Sequence, residues 1–283
     1  MVAVIICLAC LLFTSCGYGV DEAFYRPAPV ADRASSIYEL PEADAPKITG
    51  DEYTIAVFSD IHFGKPDETR HEEDFLAWLE KMKAEGTLPA FCICLGDIAD
   101  HGKDSEFAEY EAFTKKIEAI LGTGKVYGVL GNHDLYNTGW KNYQNRVFPY
   151  KSLYHFKTKT FSWYCIDSAS GSLGKKQYNL LENAFKNDSS PKIVLSHIPV
   201  YGNPLNNMGY FTFQNSYEAD MVITLFIKSN VRVLLTGHIH TANKNYFNDC
   251  MELTVPPITK DNKWTVLTIN ENSATVKEEF VIK

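Results

Sequence analysis

Short apolar runs, each followed at once by a small polar cluster, recur along the chain and predict buried strands alternating with helices. Residues 53–58, 91–95 and 125–130 read as strands. Between them the apolar spacing becomes helical, with Phe75, Leu76, Leu79 and Met82 in 74–85, then Phe107, Tyr110, Phe113, Ile117 and Ile120 in 105–121. The distances from Asp60 to Asp97 and from Asp97 to Asn132, 37 and 35 positions, each match one strand–helix–strand unit. The first half therefore predicts two successive βαβ units sharing a parallel sheet. The second half is more mixed. Strands are expected at 160–166, 192–195 and 231–235, helices at 175–185 and 217–229, and a closing antiparallel pair at 264–269 and 274–281. No internal repeat or low-complexity tract is visible, and one α/β domain over 52–283 is the economical reading.

The polar clusters at the strand ends carry the chemistry. They are Ser59-Asp60-Ile61-His62, Gly96-Asp97, Gly131-Asn132-His133-Asp134, Ser196-His197 and Gly237-His238-Ile239-His240. Asp60 and His62 offer a hard oxygen and an imidazole from one loop, a mixture suited to Zn, Mn or Fe(II). Asp97 has two oxygens with which to bridge two cations, and Asn132 can offer a neutral carbonyl oxygen. His133 fits a proton donor or an electrostatic clamp, with Asp134 expected to fix its tautomer and raise its basicity. His238 and His240 would face the same way in an extended segment, whereas a bent loop would let each reach a different metal. Taken singly, an Asp-x-His or a lone His197 is an ordinary surface or structural feature. Together, metal-type ligands at five separate strand ends have the composition of a hydrolytic dinuclear centre.

The order of these motifs resembles that of the calcineurin-like metallophosphoesterases, over residues 53–242. The resemblance implies a four-layer double β-sandwich flanked by helices. It also implies two divalent metal ions, one held by Asp60, His62, Asp97 and His240 and the other by Asp97, Asn132, His197 and His238. His133, supported by Asp134, would protonate the leaving group or stabilise the phosphoryl oxygens. The expected reaction is hydrolysis of a small phosphomonoester or phosphodiester by metal-activated water. Cyclic-nucleotide phosphodiesterase is a specific alternative, and a non-catalytic scaffold of the same fold is a second. Purple acid phosphatases carry a Tyr three positions after the bridging Asp, where this chain has Asp100, so their ferric chemistry is not expected. Tyr136, Asn137, Trp140, Tyr143 and the loop at 203–215 are candidates to line a pocket for a nucleoside or sugar leaving group.

Charge and the chain's first residues change the picture of partners and location. The formal net charge of −8 disfavours a nucleic-acid duplex as partner. The hydrophobic fraction of 45% suits a sizeable core. Residues 1–15 hold no charged side chain and have the length of a signal-peptide apolar region. They end in Phe13-Thr14-Ser15-Cys16, which resembles the lipobox of bacterial lipoproteins, with Phe13 where Leu is usual. Lipidation at Cys16 would anchor an exported protein to a membrane, and the Pro-containing stretch 16–51 reads as a tether, partly wrapped on the domain. Of seven cysteines, Cys92, Cys94, Cys165 and Cys250 lie in the domain. Cys92 and Cys94 share one face of a strand and are expected as free thiols, with a Cys165–Cys250 bond open to an exported protein.

Overall fold

Strands that are apolar on both faces need cover on both sides, and the structure supplies it. This computed structural model describes residues 29–66, 71–201, 213, 215–261 and 263–282. In chain order the elements begin with α1 (Val30–Arg33), β1 (Tyr38–Glu39), β2 (Glu52–Phe58), α2 (Glu72–Glu85), β3 (Cys92–Cys94), α3 (Asp104–Leu121) and β4 (Val126–Gly128). A short 3-10 turn at His133–Leu135 precedes α4 (Gly139–Arg146), β5 (Tyr154–Lys157), β6 (Ser162–Cys165), α5 (Gly174–Lys186) and β7 (Lys192–Leu195). The chain continues with α6 (Ser216–Lys228), β8 (Val231–Thr236), β9 (Asn243–Phe247), β10 (Cys250–Thr254), α7 (Ile258–Asp261), β11 (Lys263–Asn270) and β12 (Thr275–Ile282).

Two sheets result. One has the order β12-β11-β2-β3-β4, with β2, β3 and β4 parallel as the two βαβ units require. The other has the order β1-β5-β6-β7-β8-β10-β9, and β6, β7, β8 and β10 run parallel. The sheets meet face to face. Ile55, Val57, Ile93 and Leu95 of one pack with Trp163, Ile193, Leu195, Val233 and Leu253 of the other. The alternate residues turn outward. Ala56, Phe58, Cys92 and Cys94 pack with Phe75 and Leu79 of α2 and Phe107 and Ile117 of α3. On the far side Tyr164, Val194 and Leu234 pack with Leu181 and Phe185 of α5 and Val222 and Phe226 of α6. Helix, sheet, sheet and helix therefore form four layers.

The described part of the stretch expected as a tether, residues 29–51, touches the body at several points. Tyr38 and Glu39 pair in parallel with Tyr154 and His155, so β1 caps the edge of the second sheet. Arg33 is buried against Asp167. A two-residue strand and a one-turn helix leave no periodic trace, which is why this stretch resembles a spacer. The signal segment, Cys16 and residues 203–212 and 214 of the expected loop lie outside the described residues. Among the described residues no helix is long and apolar enough to cross a membrane.

Cys92, Cys94, Cys165 and Cys250 are all buried free thiols. The open Cys165–Cys250 bond is not formed, because Cys165 faces the layer between the sheets and Cys250 the outer helical layer. Burial pushes all four thiols up, so they are protonated and unreactive in the folded protein.

Candidate metal centre

Parallel strands bring their C-terminal ends to one edge, and both sheets present that edge on the same side. Asp60 and His62 follow β2, Asp97 follows β3, Asn132 follows β4, His197 follows β7, and His238 and His240 follow β8. The loops are stitched together by their backbones. Asp60 N–H donates to Gly96 O at 3.0 Å, His62 N–H to Asp97 O at 3.0 Å, and Gly237 N–H to His197 O at 2.9 Å. His238 N–H reaches across to Asp60 Oδ2 at 3.1 Å, and His133 N–H to Asp97 Oδ1 at 2.9 Å.

This packing bends the backbone hard. Asp60, His62, Asp97, His238 and His240 all have left-handed φ, between 48° and 71°. An L residue pays about 1 kcal/mol or more for that conformation, so five of the seven candidate ligands sit in strained positions. Two glycines make the approach possible. A Cβ at Gly131 would overlap the amide nitrogen and carboxylate of Asp97, and one at Gly96 would come within 2.7 Å of His197 Nδ1.

The side chains converge in two overlapping groups. Donor atoms of Asp60, His62, Asp97 and His240 lie within 4.8 Å of one another, and so do those of Asp97, His197 and His238. The Nε2 atoms of His62 and His240 stand 3.2 Å apart, and His240 Nε2 is 3.3 Å from Asp60 Oδ1. Asp97 belongs to both groups, with Oδ2 3.8 Å from His62 Nε2 and Oδ1 3.3 Å from His197 Nε2. Asn132 Oδ1 lies 3.0 Å from His197 Nε2. His197 Nδ1–H donates to Leu95 O at 2.7 Å, which turns Nε2 toward Asp97 and Asn132.

The charges of these groups hold one another in place. Burial disfavours a charged His197, but the neighbouring Asp97 outweighs it and pushes the imidazole up to about 9. Asp97 in turn, despite its burial, is held well below the usual carboxylate range by the His197 charge. His238 is pushed down to about 4 by burial and by the His197 charge. Imidazoles and carboxylates that face a common point in this way suit divalent cations.

All seven predicted ligands thus come together, and one predicted contact does not. Asp134 does not touch His133. The 3-10 turn at His133–Leu135 points its side chain inward, where Oδ1 accepts from Ala99 N–H and Oδ2 from Gly131 N–H, both at 2.8 Å. Burial and the Asp97 charge push this carboxyl up to about 7. Its place behind the histidine is taken by Asp100. His133 Nδ1–H donates to Asp100 O at 2.9 Å, and Asp100 Oδ1 lies 3.7 Å from that nitrogen and 3.4 Å from His62 Nδ1. The signal for Asp100 was its position three residues beyond Asp97 on the same loop.

The expected pocket residues also divide. Tyr136 packs beside His133, with ring centroids 4.9 Å apart, and Asn137 Nδ2 donates to His101 O at 2.8 Å. Tyr143 instead is core, fully buried with its hydroxyl donating to Gly128 O, and Trp140 stacks on it. Helical spacing on α4 turns those two away from the centre.

Residues 53–242 match the sequence model of the family described as calcineurin-like phosphoesterase. No curated protein matches the chain. Solved structures with a similar fold include a dimetal phosphatase from Danio rerio, 11% identical, covering 81% of this chain and 98% of that one with a TM-score of 0.58. The anchor in the inner membrane complex of Plasmodium is 16% identical, covering 82% of this chain and 85% of its own with a TM-score of 0.59. A purple acid phosphatase from yellow lupin seeds is 12% identical, covering 83% of this chain and 54% of its own with a TM-score of 0.57.

Proposed function

From the membership of this chain in the calcineurin-like phosphoesterase family, we infer a metal-dependent hydrolase that cleaves a small phosphomonoester or phosphodiester with water. We propose that Asp60, His62, Asp97 and His240 hold one divalent ion and Asp97, Asn132, His197 and His238 the other. The observation that carries this reading is Asp97, whose two oxygens face two different imidazole groups. Mn, Zn and Fe all suit such a nitrogen and oxygen donor set. Two cations there would supply positive charge for the phosphoryl oxygens and for activating a water.

The remaining work falls to the chain. The left-handed loops hold the ligands ready before any ion arrives. His133, tied by its Nδ1–H to Asp100 O, keeps its ring edge-on to His62 with centroids 4.7 Å apart and is partly exposed. Its Nε2 can give a proton to the leaving oxygen or attract a phosphoryl oxygen. Asp134 supports it only through the backbone, by fixing the Gly131 and Ala99 amides.

The apolar residues 2–13 and the small residues before Cys16 support export with a lipid anchor at Cys16. In that reading the enzyme faces the periplasm or the cell exterior. Lipid labelling that survives Cys16→Ala would refute it.

A substrate panel on metal-loaded protein tests the activity. It compares an aryl phosphomonoester, an aryl phosphodiester, cyclic nucleotides and nucleotides. We expect turnover of at least one class, abolished by chelation and restored by Mn or Zn. Protein that holds under one metal per chain after loading and turns over nothing on the panel would favour the scaffold instead.

A further inference from the structure

A line of buried hydrogen bonds runs from the N-terminal segment to one candidate ligand. Arg33 on α1 grips Asp167 with both arms of its guanidinium, Nε to Oδ2 at 2.9 Å and Nη2 to Oδ1 at 3.0 Å. Nη2 also donates to Ser170 Oγ at 2.9 Å. Both partners of this ion pair are buried, so the fork geometry is strong and costly to break. Asp167 lies just beyond β6, at the same sheet edge as the metal centre. Gln177 on α5 fixes its backbone from the other side, accepting Asp167 N–H and donating to Asp167 O, both at 2.8 Å.

The next residue is Ser168. Its Oγ accepts from His197 N–H at 3.1 Å and Ile198 N–H at 3.0 Å, and it lies 2.9 Å from Ser196 Oγ. Ser196 O–H donates to Ile198 O at 2.8 Å, which closes the loop on itself. Every one of these groups is buried. His197 is thereby held at its amide by Ser168, at its carbonyl by Gly237 and at Nδ1 by Leu95, leaving only Nε2 to face Asp97 and Asn132.

We infer that Arg33, Asp167 and Ser168 form a positioning relay through which the N-terminal segment holds His197 in place as a ligand to the second ion. The inference rests on the ligand assignment proposed above. Its physical basis is that Ser168 cannot shift without stranding two buried amides, and Asp167 cannot shift while Arg33 grips it. Without Arg33, a buried carboxylate loses its partner and the corner carrying Ser168 must move. The second group would then lose its geometry while the first, built from β2, β3 and the loop after β8, keeps its own.

Calorimetric titration of metal-free protein with zinc, against a competing chelator, tests this directly. Wild-type protein should show two binding steps. Ser168→Ala should weaken the second by about 10- to 100-fold, the range for residues that support a ligand, and Arg33→Ala by about 10-fold. Arg33→Lys, which keeps the charge but loses the fork, should recover part of that loss. Glu271→Gln serves as the control for general softening. Its carboxylate accepts from Tyr53 O–H and Thr160 N–H at the opposite strand ends, so it should lower the melting temperature and leave both steps unchanged. If Ser168→Ala and Arg33→Ala bind the second ion as wild type does, or if Glu271→Gln weakens it equally, the relay is overturned. Wild-type protein that takes up no zinc overturns the ligand assignment, and the relay with it.

Discussion

Metal uptake by this centre should release a proton, because the metal-free protein holds His197 charged at neutral pH. Burial opposes the charge, but Asp97 at 3.3 Å raises the imidazole from 6.5 to about 9. A cation needs the neutral ring. Between pH 9 and pH 7 the neutral fraction falls from about one half to about one in a hundred, so affinity for the second ion should fall about 50-fold. His62 is also raised, despite its burial, by its contact with Asp100, and it adds to the trend. His238, at about 4, and the lowered carboxylates of Asp60 and Asp97 contribute no protons in this window. The metal-free fold should show the opposite slope. A histidine raised on folding stabilises fully below its unfolded pKa and loses that contribution as pH rises through the folded one. From pH 7 to 9 the loss is of order 2 kcal/mol, so metal-free protein should melt lower at pH 9 while loaded protein does not. The assay is zinc titration at pH 7 in two buffers of different ionisation enthalpy, repeated up to pH 9. A heat independent of the buffer, with affinity flat across that range, would refute the reasoning.

Two further outcomes follow from the geometry. Asp97→Asn should loosen both ions and cost more activity than His133→Ala, whose loss should stay within the roughly 10²- to 10⁴-fold of a proton donor. Metal analysis and kcat on both variants check this, and an Asp97→Asn protein with wild-type turnover and metal content would sink the assignment. Gly131→Ala forces a Cβ into Asp97 and should destabilise by about 1–3 kcal/mol with weaker metal binding. Denaturant melts with and without zinc measure it, and an unchanged midpoint would count against the close packing.

What could be read from the chain depended on how many residues expressed a pattern. Residues 55–58 and 91–95 are apolar on both faces because two layers cover them, and that placed Asp60 and Asp97 at strand ends. β9 was invisible because it is a polar edge strand, Asn243-Lys244-Asn245, whose partner β10 carries the buried Glu252. The helix α4 has too few apolar residues to show a face. Within the site, ligand types were legible but their supports were not. Asp134 precedes no visible signal that its side chain would turn toward the Ala99 and Gly131 amides. Ser168 and Arg33 lie 29 and 134 residues from the groups they hold, and no local spacing expresses such a contact.

The left-handed backbone at Asp60, His62, Asp97, His238 and His240 has a consequence for anyone evolving this protein toward heat resistance. Glycine would relax the chain at the half-exposed His240, whereas Asp60 and Asp97 hold the His238 and His133 amides, so selection scored on folding alone would favour the His240 replacement. That gain would erase a donor atom. The most stable descendants of this sequence should therefore be inert, and a screen for robust ones must demand turnover at each round.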